Sequence, residues 1–258
     1  MIEPQSISVK IAMAQIFAID GDRSGNLARI EHAIIEAKQA QVDIVVFPET
    51  CILGWVNPDA HQMAFPIPGA DSKRLGELAK KHGIYLCIGL AEKEDDQLFD
   101  SVILLDDRGK VLLKHRKINV LTELMTPSYS IGETVEVVNT PFGTVGLLIC
   151  ADTFQEDLLE NMKQKKPDLL LVPYGWAAKK EAWPTHGQEL IKVVKNASKV
   201  VGCPVVGTNL IGQISQGPWK GLTYGGGSVA YDHSSEQLIV GKDRDRDINI
   251  FTFTLPPK

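Results

Sequence analysis

Three ionisable groups of different types, a thiol, a carboxylate and an ammonium, each follow an apolar run of the chain. Glu49 follows residues 44–47, Lys117 follows residues 111–113, and Cys150 follows residues 145–149. A thiol has a pKa near 8.5, so a nucleophilic cysteine needs a nearby base or cation. Glu49 could take the thiol proton and later protonate a departing amine, while Lys117 would favour the thiolate and an oxyanion. The backbone N–H of Ala151 could be a second oxyanion donor, a contact worth about 3 kcal/mol in the transition state.

Each of these residues also has an ordinary structural interpretation. Cysteine is among the most buried residue types, a glutamate after Pro48 can cap a turn, and a lysine can end a strand in solvent. The positions of the three residues favour the catalytic interpretation over the structural one, because ligands of open α/β sheets bind beyond the carboxyl ends of the strands. A helix that begins near Cys150 would also favour its thiolate. Three different groups at three strand ends therefore indicate one assembled site.

The elements that must position these groups alternate between short β-rich runs and longer segments of helical period. Strands are predicted at residues 7–14, 43–47, 84–91, 101–105, 111–113, 135–138, 144–149, 168–172, 204–208, 228–231, 238–240 and 248–253. Helices are predicted at residues 24–40, from a cap at Asp71 or Ser72 to Gly83, at 154–165, and from a Thr185 cap to Gly202. The chain thus has two similar halves, each with one sheet and two helices. This pattern predicts two sheets packed face to face with helices outside, in a single domain over residues 1–258.

Composition excludes several classes of function. The 27 basic and 32 acidic residues are mixed along the chain and give a net charge of −5, so we expect no nucleic-acid partner. The four cysteines have no Cys-x-x-Cys spacing and no histidine at metal-binding spacing, so neither a zinc site nor a redox motif is predicted. No apolar run approaches membrane-spanning length, and residues 1–4 do not start a targeting segment, so we expect a cytoplasmic protein without membrane contact.

The segments that contain the three ionisable groups resemble the signature segments of the nitrilase superfamily of carbon–nitrogen hydrolases. They are Phe47-Pro48-Glu49-Thr50, His115-Arg116-Lys117-Ile118-Asn119 and Leu148-Ile149-Cys150-Ala151-Asp152. The resemblance covers about residues 7–254, with the segments in the family's order. It implies an α/β fold, a four-layer αββα sandwich of the nitrilase type. It also implies pairing through the outer helices, hence a homodimer or a higher homo-oligomer.

The resemblance assigns a role to each residue. Glu49 is the general base, Lys117 stabilises the transition state and Cys150 is the nucleophile. Family members often have a further glutamate soon after the lysine, for which Glu123 is the first candidate and Glu133 the second. Cys150 would then attack an amide or nitrile carbon, and an amine or ammonia would leave on a proton from Glu49. Glu49 would next activate the water that hydrolyses the thioester. The implied reaction requires no metal or organic cofactor.

Aromatic residues in the loops after strands are candidates for the pocket wall. We expect Trp55, Tyr174 and Trp176 to contact substrate, although such residues could equally bury a dimer surface. Amidases that act on carboxylate-bearing amides often have an arginine just after the nucleophile, where this chain has Phe154. Lys179 or Lys180 could instead approach a substrate carboxylate from the next loop. The least committed expectation is therefore an amidase for a small amide or an N-carbamoyl compound.

Other functions stay open at this point. The same three residues could serve a nitrilase, or an acyltransferase in which an amine replaces water. A catalytically silent binding protein could retain the fold. A Cys–His hydrolase would need His115 or His186 beside Cys150, and neither lies in a recognisable motif.

Overall fold

The computed structural model describes residues 7–255, and residues 1–4 lie outside this range. The helices are α1 Arg23–Gln39, α2 Ala60–Met63, α3 Ala70–His82, α4 Glu156–Gln164 and α5 Thr185–Val201, with 3₁₀ turns at Thr122–Leu124, Cys150–Phe154 and Lys180–Ala182. The strands are β1 Ile7–Gln15, β2 Ile44–Val46, β3 Tyr85–Glu94, β4 Gln97–Leu105, β5 Val111–Arg116, β6 Val137–Thr140, β7 Gly143–Leu147, β8 Leu169–Tyr174, β9 Ala177–Ala178, β10 Val205–Asn209, β11 Ile211–Gln213, β12 Thr223–Gly225, β13 Val229–Tyr231, β14 Gln237–Val240 and β15 Asp247–Leu255.

Two six-stranded sheets form the centre of the structure. Their strand orders are β15-β1-β2-β3-β4-β5 and β14-β13-β10-β8-β7-β6. In the first sheet β1, β2 and β3 are parallel, and in the second β7, β8 and β10 are parallel. The last strand returns to the first sheet, where β15 runs antiparallel to β1. Parallel strands end at a shared edge, so β2 and β7 deliver Glu49 and Cys150 from the two sheets.

The two faces of the first sheet pack against different layers. In β1, Val9, Ile11 and Met13 are fully buried in the cluster shared with the second sheet, whereas Ala12 and Ala14 belong to the cluster under α1 and α3. This alternation follows the period of two along a strand, and burial of each large apolar side chain contributes about 1.5–3 kcal/mol. Helices α4 and α5 cover the second sheet. The predicted four-layer αββα sandwich is therefore confirmed.

The structure corrects three element ends. Helix α3 begins at Ala70, and its N-cap is Gly69 instead of the predicted Asp71 or Ser72. The Ser72 hydroxyl accepts the Gly69 N–H at 2.9 Å. Gly83 ends this helix as predicted, with φ +56°. Thr185 is the first residue of α5 and makes no side-chain cap. The helix predicted from Phe154 begins at Glu156, because Cys150–Phe154 forms a 3₁₀ turn.

Some elements have no counterpart in the sequence prediction. These are α2 and the small sheet β11-β12-β9. Their strands are two or three residues long, too short for a hydrophobic period to be visible. Within residues 7–255, none of the helices combines the length and the apolar character needed to span a bilayer.

Candidate active site

Glu49 is held where the two sheets meet. Its backbone N–H donates to the Tyr174 carbonyl across the sheets at 3.4 Å. Strand β3 passes so close to Glu49 that a Cβ at Gly89 would lie 2.6 Å from the Glu49 Cα. Only glycine permits this approach. The glutamate is therefore fixed by backbone packing as well as by its side-chain contacts.

Lys117, Glu49 and a third residue, Asp100, form a buried charge cluster. The Lys117 ammonium donates to Glu49 Oε1, and its Nζ lies 3.4 Å from Asp100 Oδ2. The exposed fractions of the three side chains are at most 5%. Burial alone would lower the pKa of Lys117, but the Glu49 and Asp100 carboxylates outweigh it and raise that pKa well above its usual range. The two carboxylates therefore favour the charged form of Lys117.

Cys150 occupies a backbone conformation that side chains rarely adopt. Its φ is +40°, and it begins the 3₁₀ turn that follows β7. Such strained residues persist only where their surroundings enforce them, and they cluster at functional sites. The Cys150 residue is 5% exposed.

The surroundings of Cys150 favour the protonated thiol. Burial, followed by the negative charge of Glu49, raises the thiol pKa well above its usual value. The Lys117 charge and the backbone N–H of Gly175 lower the thiol pKa, as expected for Lys117. Their effect is smaller than that of burial and the Glu49 charge. The nucleophile therefore depends on a base, and Glu49 is the neighbouring group that can accept its proton.

Asp152 ties the Cys150 turn to the Lys117 segment. Its Oδ1 accepts the backbone N–H groups of Ile118 and Asn119 at 2.9 and 2.8 Å. Its Oδ2 accepts the Ile149 N–H at 3.0 Å and His115 Nε2 at 2.8 Å. Burial alone would raise the pKa of Asp152, but the His115 hydrogen bond and charge, with the backbone donors, hold it below its usual value. Sequence analysis quoted Asp152 within its motif without assigning it this function.

Asp152→Asn should lower the free energy of unfolding by about 3 kcal/mol, since the amide presents N–H groups where the structure needs only acceptors. The folded-state pKa of Asp152 lies below the unfolded value. Asp152 therefore contributes its full stabilisation above the pKa that it has in the unfolded chain. This stabilisation is lost as the pH falls through the pKa that it has in the folded protein. Urea unfolding across the acid range measures this, with the exposed Asp107→Asn as control. Equal stability of the two variants would contradict the bracing role.

A small apolar pocket opens onto Cys150. It encloses about 180 Å³ and is lined by Trp55, Leu121, Leu124, Cys150, Phe154, Gly175, Trp176, Ala177, His186 and Trp219. Phe154 meets the Trp176 ring edge-on at 5.5 Å, and His186 stacks on the same indole at 5.1 Å. Aromatic rings thus line the pocket together with the candidate nucleophile, Cys150.

Two of the three residues expected to contact substrate line the pocket, and the third does not. Trp55 and Trp176 line the pocket. Tyr174 is fully buried outside the pocket lining, and its hydroxyl lies 3.0 Å from Thr153 Oγ1. Tyr174 therefore supports the turn after Cys150 and does not touch the cavity, because the chain direction after β8 turns Trp176, not Tyr174, toward the opening.

The second carboxylate of the cluster is not the expected one. Glu123 is exposed on the 3₁₀ turn Thr122–Leu124, because Leu121 and Leu124 take the positions that face the pocket. Within residues 7–255 it makes no ion pair with Lys117, and Asp100 takes that position. The second choice, Glu133, is also exposed and lines a separate groove.

Ala151 and the histidines complete the predicted set. Ala151 is 1% exposed beside the nucleophile, and its carbonyl accepts Asn119 Nδ2 at 2.7 Å. Its role as an oxyanion donor stays a prediction. His115 is engaged by Asp152 and, through Nδ1 at 3.2 Å, by the Thr134 carbonyl. Among the described residues, neither His115 nor His186 hydrogen bonds to Cys150, so a Cys–His pair is not formed.

Gly175 is a site residue that sequence analysis did not single out. A Cβ at this position would lie 2.9 Å from both Glu49 Oε2 and the Trp55 ring atom Cγ. Gly175→Ala should therefore displace Glu49 and lower kcat/KM about a hundredfold while the protein stays folded. Steady-state kinetics beside a melting curve measures this. An Ala variant with wild-type kinetics would show that Glu49 tolerates displacement.

Comparison with known proteins places this geometry in a family. The sequence profile of the carbon–nitrogen hydrolases matches residues 10–251. Among curated proteins, a bifunctional nitrilase/nitrile hydratase of Lupinus angustifolius is 28% identical over 188 residues, which are 65% of this chain and 54% of that protein. Nitrilase 3 of Arabidopsis thaliana is 28% identical over 169 residues, 58% of this chain and 49% of that protein. The chain thus spans about half the length of the curated relatives it matches.

Solved structures share the fold over nearly the whole chain. An amidase from Nesterenkonia sp. superposes with a TM-score of 0.80 at 22% identity, covering 96% of this chain and 90% of that one. Nit3 of Saccharomyces cerevisiae, a member of branch 10 of the nitrilase superfamily, gives 0.81 at 22% identity, covering 97% and 90%. These neighbours support the nitrilase-type sandwich.

Proposed function

Because this chain belongs to the carbon–nitrogen hydrolase family, we propose that it is an amidase that cleaves a small amide or N-carbamoyl compound through a thioester on Cys150. One observation carries the proposal: the buried contact between Lys117 and Glu49 lies beside Cys150, which lines an apolar pocket. A base, a cation and a nucleophile thus lie together, and of these three residues Cys150 is the one that lines the pocket.

The proposed reaction uses these groups in two stages. Glu49 takes the Cys150 proton as the sulfur attacks the amide carbon, and the Lys117 ammonium stabilises the oxyanion. Glu49 then gives that proton to the leaving nitrogen, so the C–N bond breaks and the thioester remains. Water attacks the thioester with Glu49 as base, the acid product leaves, and the thiol regains its proton.

The pocket favours an uncharged acyl group. None of its lining residues is Lys or Arg. Lys179 and Lys180, the candidates for binding a substrate carboxylate, are exposed and do not line the pocket. Phe154 does line it, so this side chain offers apolar contact where a carboxylate would need a cation. The volume of about 180 Å³ fits a substrate of a few non-hydrogen atoms.

A nitrilase is the second candidate, favoured by the names of the curated relatives. The decisive assay compares ammonia release from butyramide, butyronitrile and succinamate, the last being an amide of similar length with a carboxylate. We expect butyramide to be hydrolysed best and succinamate least. Preference for the nitrile would replace the amidase proposal, and preference for succinamate would contradict the uncharged acyl group.

The acyltransferase alternative is tested in the same reaction mixture. Added amines compete with water for the thioester, so transfer yields a new amide and hydrolysis yields the free acid. We expect the acid to dominate. A new amide as the main product at millimolar amine would assign the protein to acyl transfer.

We also propose a homodimer or higher homo-oligomer in the cytoplasm. The proposed assembly rests on the superfamily resemblance, with the outer helices α4 and α5 as the paired surface. Four free thiols in residues 7–255 are compatible with a reducing compartment. Light scattering should give at least twice the 28.3 kDa mass of one chain, and a mass of one chain would contradict the assembly.

A further inference from the structure

Asp100 is buried at the catalytic centre in a position set by the sheet. Strands β4 and β5 pair with Ser101 opposite Arg116, so the next residue pair in this register is Asp100 and Lys117. The Lys117 N–H donates to the Asp100 carbonyl at 2.8 Å, and the two side chains lie on the same side. Asp100 is 1% exposed. It is therefore a direct cross-strand neighbour of the catalytic lysine.

The charges of this cluster do not balance if every acid is ionised. Glu49 and Asp100 would contribute two negative charges, and Lys117 is the one cation paired with either carboxylate among residues 7–255. The other titratable groups that interact with Asp100 are the buried Cys150 thiol and Tyr129 phenol, which are neutral when protonated. A buried group in such surroundings keeps its proton in preference to carrying an uncompensated charge.

Hydrogen bonding indicates where the extra proton lies. Glu49 Oε2 and Asp100 Oδ1 are buried and have no partner among the described residues. Both acids contact the Lys117 ammonium through their other oxygen atoms, so the two carboxyl groups lie side by side, and a proton on one of them would let it donate to the other. Burial raises the pKa of Asp100 well above its usual value, and the negative charge of Glu49 raises it further. One proton held between the acids satisfies both the geometry and the charge.

We propose that Asp100 is a positioning residue of this active site, which holds a proton in the resting enzyme and hydrogen bonds through it to Glu49. Glu49 then carries the single negative charge that pairs with Lys117, and its free electron pair is kept available for the Cys150 proton. This inference rests on the proposed function for the role of Glu49 as the base. The proton on Asp100 is a property of the resting protein, so it can be measured without a substrate.

The test compares two buried aspartates of opposite charge state. Asparagine reproduces the shape and the donor of a protonated carboxyl group, so Asp100→Asn should keep kcat/KM within about tenfold of wild type. Asp100→Ala removes the hydrogen bond, releases Glu49 and should lower kcat about a hundredfold. Asp152 is ionised and accepts four donors, so the matched Asp152→Asn should lose stability where Asp100→Asn does not.

An infrared difference spectrum measures the proton directly. Wild type minus Asp100→Asn should show the C=O stretch of a protonated carboxyl group, shifted by exchange into D₂O. Absence of this band would overturn the proposal, whatever the enzyme hydrolyses. An Asp100→Asn variant as inactive as Asp100→Ala would also overturn it, because an ionised Asp100 would then be required.

Discussion

Cys150→Ala should lower kcat by about 10⁵-fold or more, because removal of the nucleophile of a catalytic set abolishes nearly all of its rate enhancement. The fold should survive, since alanine is smaller than cysteine and the 3₁₀ turn is braced by Asp152. Ammonia release from butyramide and a melting curve measure the two effects.

Cys203→Ala is the matched control for this prediction. Cys203 is also buried, and burial raises its pKa to about 12. It lies in the core between α5 and β10 and does not line the pocket. We expect wild-type kcat from this variant with a small loss of stability. Turnover of butyramide by Cys150→Ala at the wild-type rate would exclude a thioester on Cys150.

Glu49→Gln should lower kcat about 10³- to 10⁴-fold, because the amide cannot accept the thiol proton. The sign of its pH dependence follows from the raised thiol pKa. Without a base, only the spontaneously ionised thiolate reacts, and its fraction rises about tenfold per pH unit below that pKa. The residual activity of Glu49→Gln should therefore increase with pH through neutrality. A pH–rate profile of the variant measures this.

Glu123→Gln is the control that makes this result specific. Glu123 is exposed and does not line the pocket, so its substitution should leave kcat/KM within about twofold of wild type. A large loss from Glu123→Gln would restore the sequence-based expectation that Glu123 is the further catalytic carboxylate. A pH-independent residual rate in Glu49→Gln would show that Glu49 is not the base.

The fold was largely accessible from the sequence because its signals are local. Helix α1 has an apolar residue every three or four positions, and β2 and β8 are continuous apolar runs between polar residues. The order of the strands within each sheet was not predicted, because periodicity does not reveal which strands pair. The short strands β9, β11 and β12 escaped prediction because their pairing is decided by distant residues.

The three candidate catalytic residues were predictable for a different reason. Glu49, Lys117 and Cys150 belong to contiguous segments whose residue types resemble a family, and the structure brings them to one buried site. Asp100 gives no such signal, since one aspartate in an apolar strand looks like an ordinary surface residue. Only the β4–β5 register turns it toward Lys117. The function of Asp152 likewise depends on donors more than 30 residues away.

The catalytic role expected of Glu123 stays a prediction, and the structure shows Glu123 away from the charge cluster. Its distance from Lys117 along the chain fits a further catalytic glutamate, but the local apolar pattern decides its direction. Leu121 and Leu124 lie on the pocket side of the 3₁₀ turn, which leaves Glu123 in solvent. Spacing along a loop therefore predicts proximity poorly, whereas pairing across a sheet fixes it.

Labelling with fluoroacetamide tests the central claim most directly. In the present protein, a Cys150 thiolate formed by Glu49 beside Lys117 should displace fluoride and form a stable carbon–sulfur bond. Peptide mass spectrometry should locate the label at Cys150, with loss of amidase activity in proportion to labelling. Full activity with Cys150 completely labelled, or lost activity with Cys150 unmodified, would contradict the account.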